Sequence, residues 1–249
     1  MFGPLTRGIY TARLAVSPED VAAALALRLL CFRLGRGQTT ASDVDEFDGK
    51  CQHVVVTDDR SGTVVCGFRL LFFPTAQTIP TSYAAQFYDL SALQNLTGPM
   101  LELGRFCLHP DHPDPDILRL AWAMLTGIVD QNGVILLFGC SSFDGSDPDR
   151  HLAALGWLSR HHLGPSDLRP RAIAAQTIDL RPLTTNTIPL LPSLLKTYLG
   201  MGGWVSDHAV IDPDLNTIHV FTGLPIASVP PHRARALRAV ARSLPHAGC

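Results

Sequence analysis

Charge is scarce in this chain of 249 residues: Asp, Glu, Lys and Arg make up 17%, against 46% hydrophobic residues. That balance excludes a solvated, disordered chain and predicts a folded protein with a sizeable core, either one large domain or a domain with an extension. Long uncharged apolar runs are lacking too. The most apolar stretches, 21–32 and 117–140, are interrupted by Arg28, Arg119, Asp130 and Gln131, so they predict buried helices and strands rather than a membrane-spanning helix. Neither sign of charge dominates, with 20 basic and 22 acidic side chains, and bulk electrostatics therefore give no support to nucleic-acid binding. The opening MFGPLTRGIYTARLAV has no charged leader followed by an apolar segment, and the six cysteines show no paired metal or disulfide spacing. A reducing cytoplasm, with no metal, is the expectation.

What is present reads as alternating strands and helices. Ile9 to Leu14 predicts a strand, and Pro18, Glu19 and Asp20 open an apolar helix running to about Phe32. Val54 to Val56 and Val64 to Phe73 predict a hairpin around the turn Asp58-Asp59-Arg60-Ser61-Gly62. Met100 to Leu108 alternates as a central strand, Asp114 or Asp116 caps a helix from Ile117 to about Gln131, and Val134 to Cys140 forms the next strand. Strand, helix, strand is a βαβ unit, so the fold class is α/β with a mostly parallel or mixed sheet. Beyond it come a short helix over Asp147 to Leu155, another over Pro189 to Leu199, and strands at Trp204 to Ile211 and Thr217 to Thr222. The last segment places Leu237, Val240, Ala241 and Leu244 on one helical face, with Arg233, Arg235, Arg238 and Arg242 mostly elsewhere. This basic amphipathic pattern suits contact with an anionic membrane surface.

Five blocks, DVDEFDGKCQHVVV, YAAQFYDLSAL, LELGRFCLHPDHPDPDIL, LLFGCSSFDGSDP and LPSLLKTYLGMGGWVSDHAVIDPDLNT, together resemble the bacterial ornithine N-acyltransferase family, which makes lyso-ornithine lipid. Order and spacing hold from about residue 10 to about residue 222, which is more specific than any one motif. The family is similar to the acyl-homoserine-lactone synthases, and both look like variants of the GNAT fold. The resemblance implies a GNAT-like mixed central sheet flanked by helices, with residues 1–170 as acyltransferase core and residues 171–249 as a C-terminal extension packed on it. It implies an acyl carrier protein thioester, typically 3-hydroxyacyl, as donor, an amino acid as acceptor, and no further cofactor. Acetyl-CoA enzymes of that fold carry a Gly-rich pyrophosphate loop after the central strand. Here the equivalent stretch is HPDHPDPD, without glycine and bearing Asp111, Asp114 and Asp116, which repels a diphosphate.

Amide formation from a thioester needs a neutral amine and donors for an oxyanion, so a positioned base is sought first. Glu102 on the central strand fits, as base or ammonium ligand. Arg105, three residues on, points to the opposite face unless a bulge intervenes, and a structural ion pair of Glu102 with Arg69 or Arg105 is the alternative. Asp45 and Asp48 lie where the related lactone synthases shape the amino-acid pocket, so acids there suit an ammonium, with Arg69 or Arg105 forked onto the carboxylate; a solvated loop is the plainer reading. Arg28 belongs to the same network or snorkels at the surface. Ser141 and Ser142 follow a strand and either bond the donor or cap a turn. His109 and Asp114 match the His-x4-Asp spacing of O-acyltransferases by chance, and His109 with His112 reads as turn chemistry rather than metal binding. Cys107 and Cys140 read as small core residues. Tyr83, Phe87, Tyr88 and the Leu190–Leu199 helix line an acyl tunnel or form ordinary core. Two rival functions stay open: acylation of another amino acid such as glutamine, and a non-catalytic lipid or carrier-protein binding module.

Overall fold

The computed structural model describes residues 2–40, 42–185 and 188–242, and for Ala241 and Arg242 the backbone alone. Two compact units interleave along the chain. The first takes residues 1–71, 103–134 and 231–249, and the second takes residues 72–102 and 135–230.

In the first unit, β1 (Leu5–Arg7), β2 (Tyr10–Leu14), β3 (Gln52–Asp58) and β4 (Val64–Phe73, whose last two residues fall in the second unit) form an antiparallel run. The β3–β4 turn closes where Gly62, at φ 74°, donates its N–H to Asp58 O at 2.8 Å. A left-handed residue at the turn end suits glycine, which has no Cβ to clash. Helix α1 (Pro18–Phe32) starts at Ser17, whose hydroxyl accepts from Asp20 N at 3.2 Å. Helix α2 (Pro115–Gln131) starts at Asp114, which accepts from Asp116 N at 2.9 Å. Both helices pack on β3, and Val54, Val55 and Val56 are all fully buried. Successive strand residues face opposite ways, so three in a row are buried only when both faces are covered. Helix α5 (Pro231–Arg242) packs against α2, pinned by Arg238 on both oxygens of Asp130 at 2.7 and 2.8 Å. Leu244 lies outside the described residues.

Strand β6 (Met100–Leu108) is divided. Leu103 onward belongs to the first unit, next to β4, while Met100, Leu101 and Glu102 belong to the second, where they pair in parallel with Leu136, Leu137 and Phe138 of β7 (Leu136–Asp144). The second unit continues with α3 (Leu152–His161), β9 (Thr177–Asp179), α4 (Ser193–Gly200), β10 (Trp204–Asp212) and β11 (Thr217–Pro225), in the strand order β6-β7-β11-β10-β9. Its sheet is mixed, because β11 pairs antiparallel with β7 and with β10. Two short strands, β5 (Tyr88–Asp89) and β8 (Arg171–Ala172), pair separately. The α/β class with a mixed sheet and flanking helices is the observed one.

Four local expectations change. The helix expected over Pro189 to Leu199 begins only at Ser193 and runs to Gly200. β7 runs on to Asp144 instead of ending at Cys140, because β11 supplies pairing partners through Thr217↔Asp144. The helix expected over Asp147 to Leu155 is a 3-10 turn at Pro148–Arg150 followed by α3, which extends to His161. The aromatic segment and the apolar helix do not share a face. Leu191, Leu195 and Leu199 pack with Phe143, Ile218 and Val220, whereas Phe87 and Tyr88 stack on His219, and Tyr88 also on Phe221. Alternation along β11 sends Ile218 and Val220 one way and His219 and Phe221 the other, so one tunnel lined by both groups is excluded. Leu190 itself is 88% exposed.

Candidate active site

Glu102 is buried on β6 in the second unit. One carboxylate oxygen accepts from Tyr83 N at 2.9 Å and the other from Ala84 N at 2.7 Å. Those N–H groups open the short 3-10 turn Ala84–Gln86, where the first donors of a helical turn have no partner of their own. The carboxylate therefore fixes both its own orientation and the start of the aromatic segment Tyr83–Tyr88. A carboxylate has about four acceptor positions, so it can accept these two N–H groups and further donors at once.

In the first unit the acidic loop folds onto three elements at once. Asp45 N donates to Asp48 Oδ2 at 2.9 Å and Phe47 N to Asp45 Oδ1 at 2.9 Å, closing a tight turn. Arg69 from β4 forks onto Asp45 at 2.5 and 2.8 Å and reaches Asp48 at 2.8 Å. Arg28 from α1, 1% exposed, bonds Asp43 through Nε at 3.1 Å and Nη2 at 2.9 Å, and also bonds Asp48. Arg33 holds the other oxygen of Asp43 at 2.9 Å. Arg105 from β6 reaches Asp43 and Asp45, each at 3.3 Å. Arg105 and Arg69 also lie over the rings of Phe32 and Phe47, at 5.9 and 5.7 Å from their centroids. Neither a solvated loop nor a snorkelling Arg28 describes this arrangement.

Burial pushes the Asp45 carboxyl up, but the Arg69 hydrogen bonds and the charges of Arg69 and Arg105 outweigh it and leave it below the usual carboxylate range. Asp48 behaves alike: burial raises it, and the Asp45 N–H with Arg28 and Arg69 outweighs that and lowers it. The side chains of Asp43 and Asp48 are 0% and 8% exposed, while Asp45 is 24% exposed, so Asp45 is the acid a solute meets.

Arg105 sits at φ 53°, the left-handed region, directly after Gly104. For a residue with a Cβ this costs about 1–2 kcal/mol, offset here by the guanidinium's two carboxylate contacts. This left-handed residue interrupts the regular extended backbone of β6 at Arg105.

Ser141 and Ser142 lie within β7, not after it. Ser141 is buried and accepts from Thr222 Oγ1 at 2.9 Å, and Ser142 stands opposite His219. The His109 ring accepts from Asp111 N at 3.3 Å while Asp114 caps α2, so that pair is engaged in turn and cap. Sequence reasoning missed Asp43 and Arg33 as cluster members; the only trace of Asp43 is its place in the acidic run Asp43, Asp45, Glu46 and Asp48.

The Acetyltransferase (GNAT) domain family matches residues 27–123. An L-ornithine N(alpha)-acyltransferase of Rhodobacter capsulatus is 34% identical over 227 residues, covering 85% of this chain and 88% of the relative. One from Brucella abortus is 31% identical, covering 89% of this chain and 86% of the relative. Among solved structures, FeeM, an N-acyl amino acid synthase from uncultured soil microbes, superposes with a TM-score of 0.50 at 12% identity, over 95% of this chain and 98% of that one, which establishes the fold as GNAT.

Proposed function

The chain belongs to the L-ornithine N(alpha)-acyltransferase family, and we propose that it transfers an acyl chain from a thioester to the α-amino group of L-ornithine. The amine nitrogen attacks the thioester carbonyl, the C–N bond forms, the C–S bond breaks, and the amine proton passes to Glu102 while the thiolate leaves. The observation that carries this reading is the buried Glu102 carboxylate, aimed by two backbone N–H groups. Asp45, the most exposed acid of the cluster, takes the side-chain ammonium, and Arg105, whose contacts are longest, turns to the carboxylate. Asp48, Arg69 and Arg28 hold these two in place. Ser141 and Ser142 are assigned to the donor side.

The donor in this reading is an acyl carrier protein thioester. A capped and acidic α2 start, with Asp114 on its own first turn and Asp116 paired to Arg7 at 3.0 Å, suits a single phosphodiester better than a diphosphate. Contact with an anionic membrane surface belongs to α5, where Arg233 and Arg235 are exposed and the helix contains no acid. Residues 1–170 as catalytic core with 171–249 as extension, and a cytoplasmic location, complete the proposal.

The test is turnover of purified chain with acyl carrier protein and CoA thioesters, each against ornithine and glutamine. Acylated ornithine from the carrier-protein donor is expected, and Glu102→Gln should cut kcat by roughly 10²–10⁴-fold, the range of one general base. Preferred acylation of glutamine sinks the acceptor assignment. Unchanged kcat in the folded variant sinks the role of Glu102.

A further inference from the structure

The second unit carries a buried histidine that the transfer step does not use. His219 on β11 is 2% exposed, and strand alternation puts it on the same face as Phe221, whose ring stacks on Phe138 at 5.9 Å. Phe138 is the register partner of Glu102, and cross-strand partners share a face, so His219 and Glu102 meet the same layer. That layer is the aromatic segment Tyr83–Tyr88, and each of the two residues holds one end of it. Glu102 takes the N–H groups of Tyr83 and Ala84. At the other end the His219 ring meets Phe87 edge-on at 4.8 Å between centroids, and the Phe87 ring lies 5.4 Å from that of Tyr83. Tyr88, fully buried, donates its hydroxyl to His219 O at 3.2 Å and stands 3.3 Å from His219 Nδ1. A hydroxyl has one hydrogen. With that hydrogen on the carbonyl, the hydroxyl oxygen accepts from Nδ1–H, so the two bonds together select an imidazole protonated on Nδ1.

We propose that His219 is a positioning residue for acyl transfer: through the Phe87 ring and the Tyr88 hydroxyl it sets where the Tyr83 and Ala84 N–H groups stand, and so the direction in which Glu102 presents its carboxylate. This role rests on Glu102 being the proton acceptor of the transfer. Two backbone donors aim a carboxylate only as well as they are themselves held. Here they open a 3-10 turn of three residues, whose hydrogen-bond geometry is too poor to fix its own place. The Phe87 carbonyl accepts from Ile173 N at 2.8 Å, which secures the backbone of the segment, while His219 secures its side chains to the sheet that carries Glu102. No proton passes through His219 in this role.

Steady-state kinetics and hydrogen exchange read by mass spectrometry test this on the full chain. His219→Ala should lower kcat by about 10–100-fold with the KM for ornithine within about twofold, because a misaimed base weakens the transition state and not ground-state binding. His219→Phe, which keeps a ring against Phe87 but lacks Nδ1–H, should fall between His219→Ala and the unsubstituted chain. The Tyr83 and Ala84 amides should lose protection in His219→Ala. Combining Glu102→Gln with His219→Ala should be no slower than Glu102→Gln alone, since a residue that acts through Glu102 then has nothing left to act on, whereas a general loss of packing adds. Additive losses overturn the proposal, as does unchanged protection of the two amides in folded His219→Ala. Where His219→Ala fails to fold, Tyr88→Phe, which removes one hydroxyl, carries the same comparisons. Full kcat in Glu102→Gln would instead overturn the role of Glu102 and with it the catalytic half of this proposal, while protection of the two amides still decides whether His219 holds the segment.

Discussion

Arg28 and Arg105 belong to one charged cluster but respond differently to substitution. Arg28 lies between Asp43 and Asp48 with 1% exposure, so Arg28→Ala removes a buried partner from two carboxylates, Asp43 keeping Arg33 and Arg105 and Asp48 keeping Arg69, and should destabilise the protein by about 3 kcal/mol, measured by urea unfolding. A loss under about 1 kcal/mol would mean that the remaining arginines suffice for both acids. Arg105 already bears the cost of its left-handed backbone. Arg105→Gly sheds that cost along with the charge and Arg105→Ala does not, so the glycine variant should be the more stable of the two by about 1 kcal/mol. Equal stability would show that the backbone relaxes once the guanidinium is gone. Glu102, Asp45, Asp48, Arg69 and Arg105 were singled out through the family resemblance, and the structure places Asp45, Asp48, Arg69 and Arg105 in one ion-pair cluster. Arg33 and the N–H groups of Tyr83 and Ala84 were not, because an ion pair or a backbone donor leaves no periodic trace in sequence.

The starts of α1 and α2 were readable because capping is local. Pro18 with Glu19 and Asp20 places α1 where the structure has it, and Asp114 caps α2, which starts at Pro115, two residues ahead of the expected Ile117. Asp114→Ala should cost about 1 kcal/mol in chemical denaturation through lost capping, and a neutral outcome would mean that Asp116 takes over the role. Strand ends were less readable. β7 is extended by pairing with β11, a partner far along the chain, and no pattern within LLFGCSSFD announces it. Helix α5 shows both sides: its amphipathic pattern is plain, but its half-buried Leu237 and Val240 occur on a helix that packs on α2, with Arg238 turned back to Asp130 and Arg233 and Arg235 exposed. Charge reversal by Arg233→Glu with Arg235→Glu should therefore weaken co-sedimentation with anionic vesicles, with acylation of soluble substrate retained. Undiminished vesicle binding would end the membrane assignment.

Acidification acts on the molecule through the same cluster. Asp45 and Asp48 titrate lower in the folded protein than an unfolded aspartate, near 3.9, so their pairing stabilises the fold above that value and the contribution fades as pH falls through their folded values. Thermal melting followed downward from pH 6 should hold until about pH 4 and then drop, and the drop should be shallower in Asp45→Asn, which lacks one of the titrating groups. A parallel drop in both proteins would place the acid sensitivity elsewhere. The two interleaved units carry a further consequence, which concerns the order of synthesis. Chain emerging from the ribosome supplies every residue of the second unit by Pro230, while the first still awaits the helix that docks on α2. Translation thus supplies the whole of the second unit before the whole of the first, and a chain truncated just past Pro230 would keep the Tyr83 and Ala84 N–H groups on Glu102 while α2 lacked the helix that docks on it.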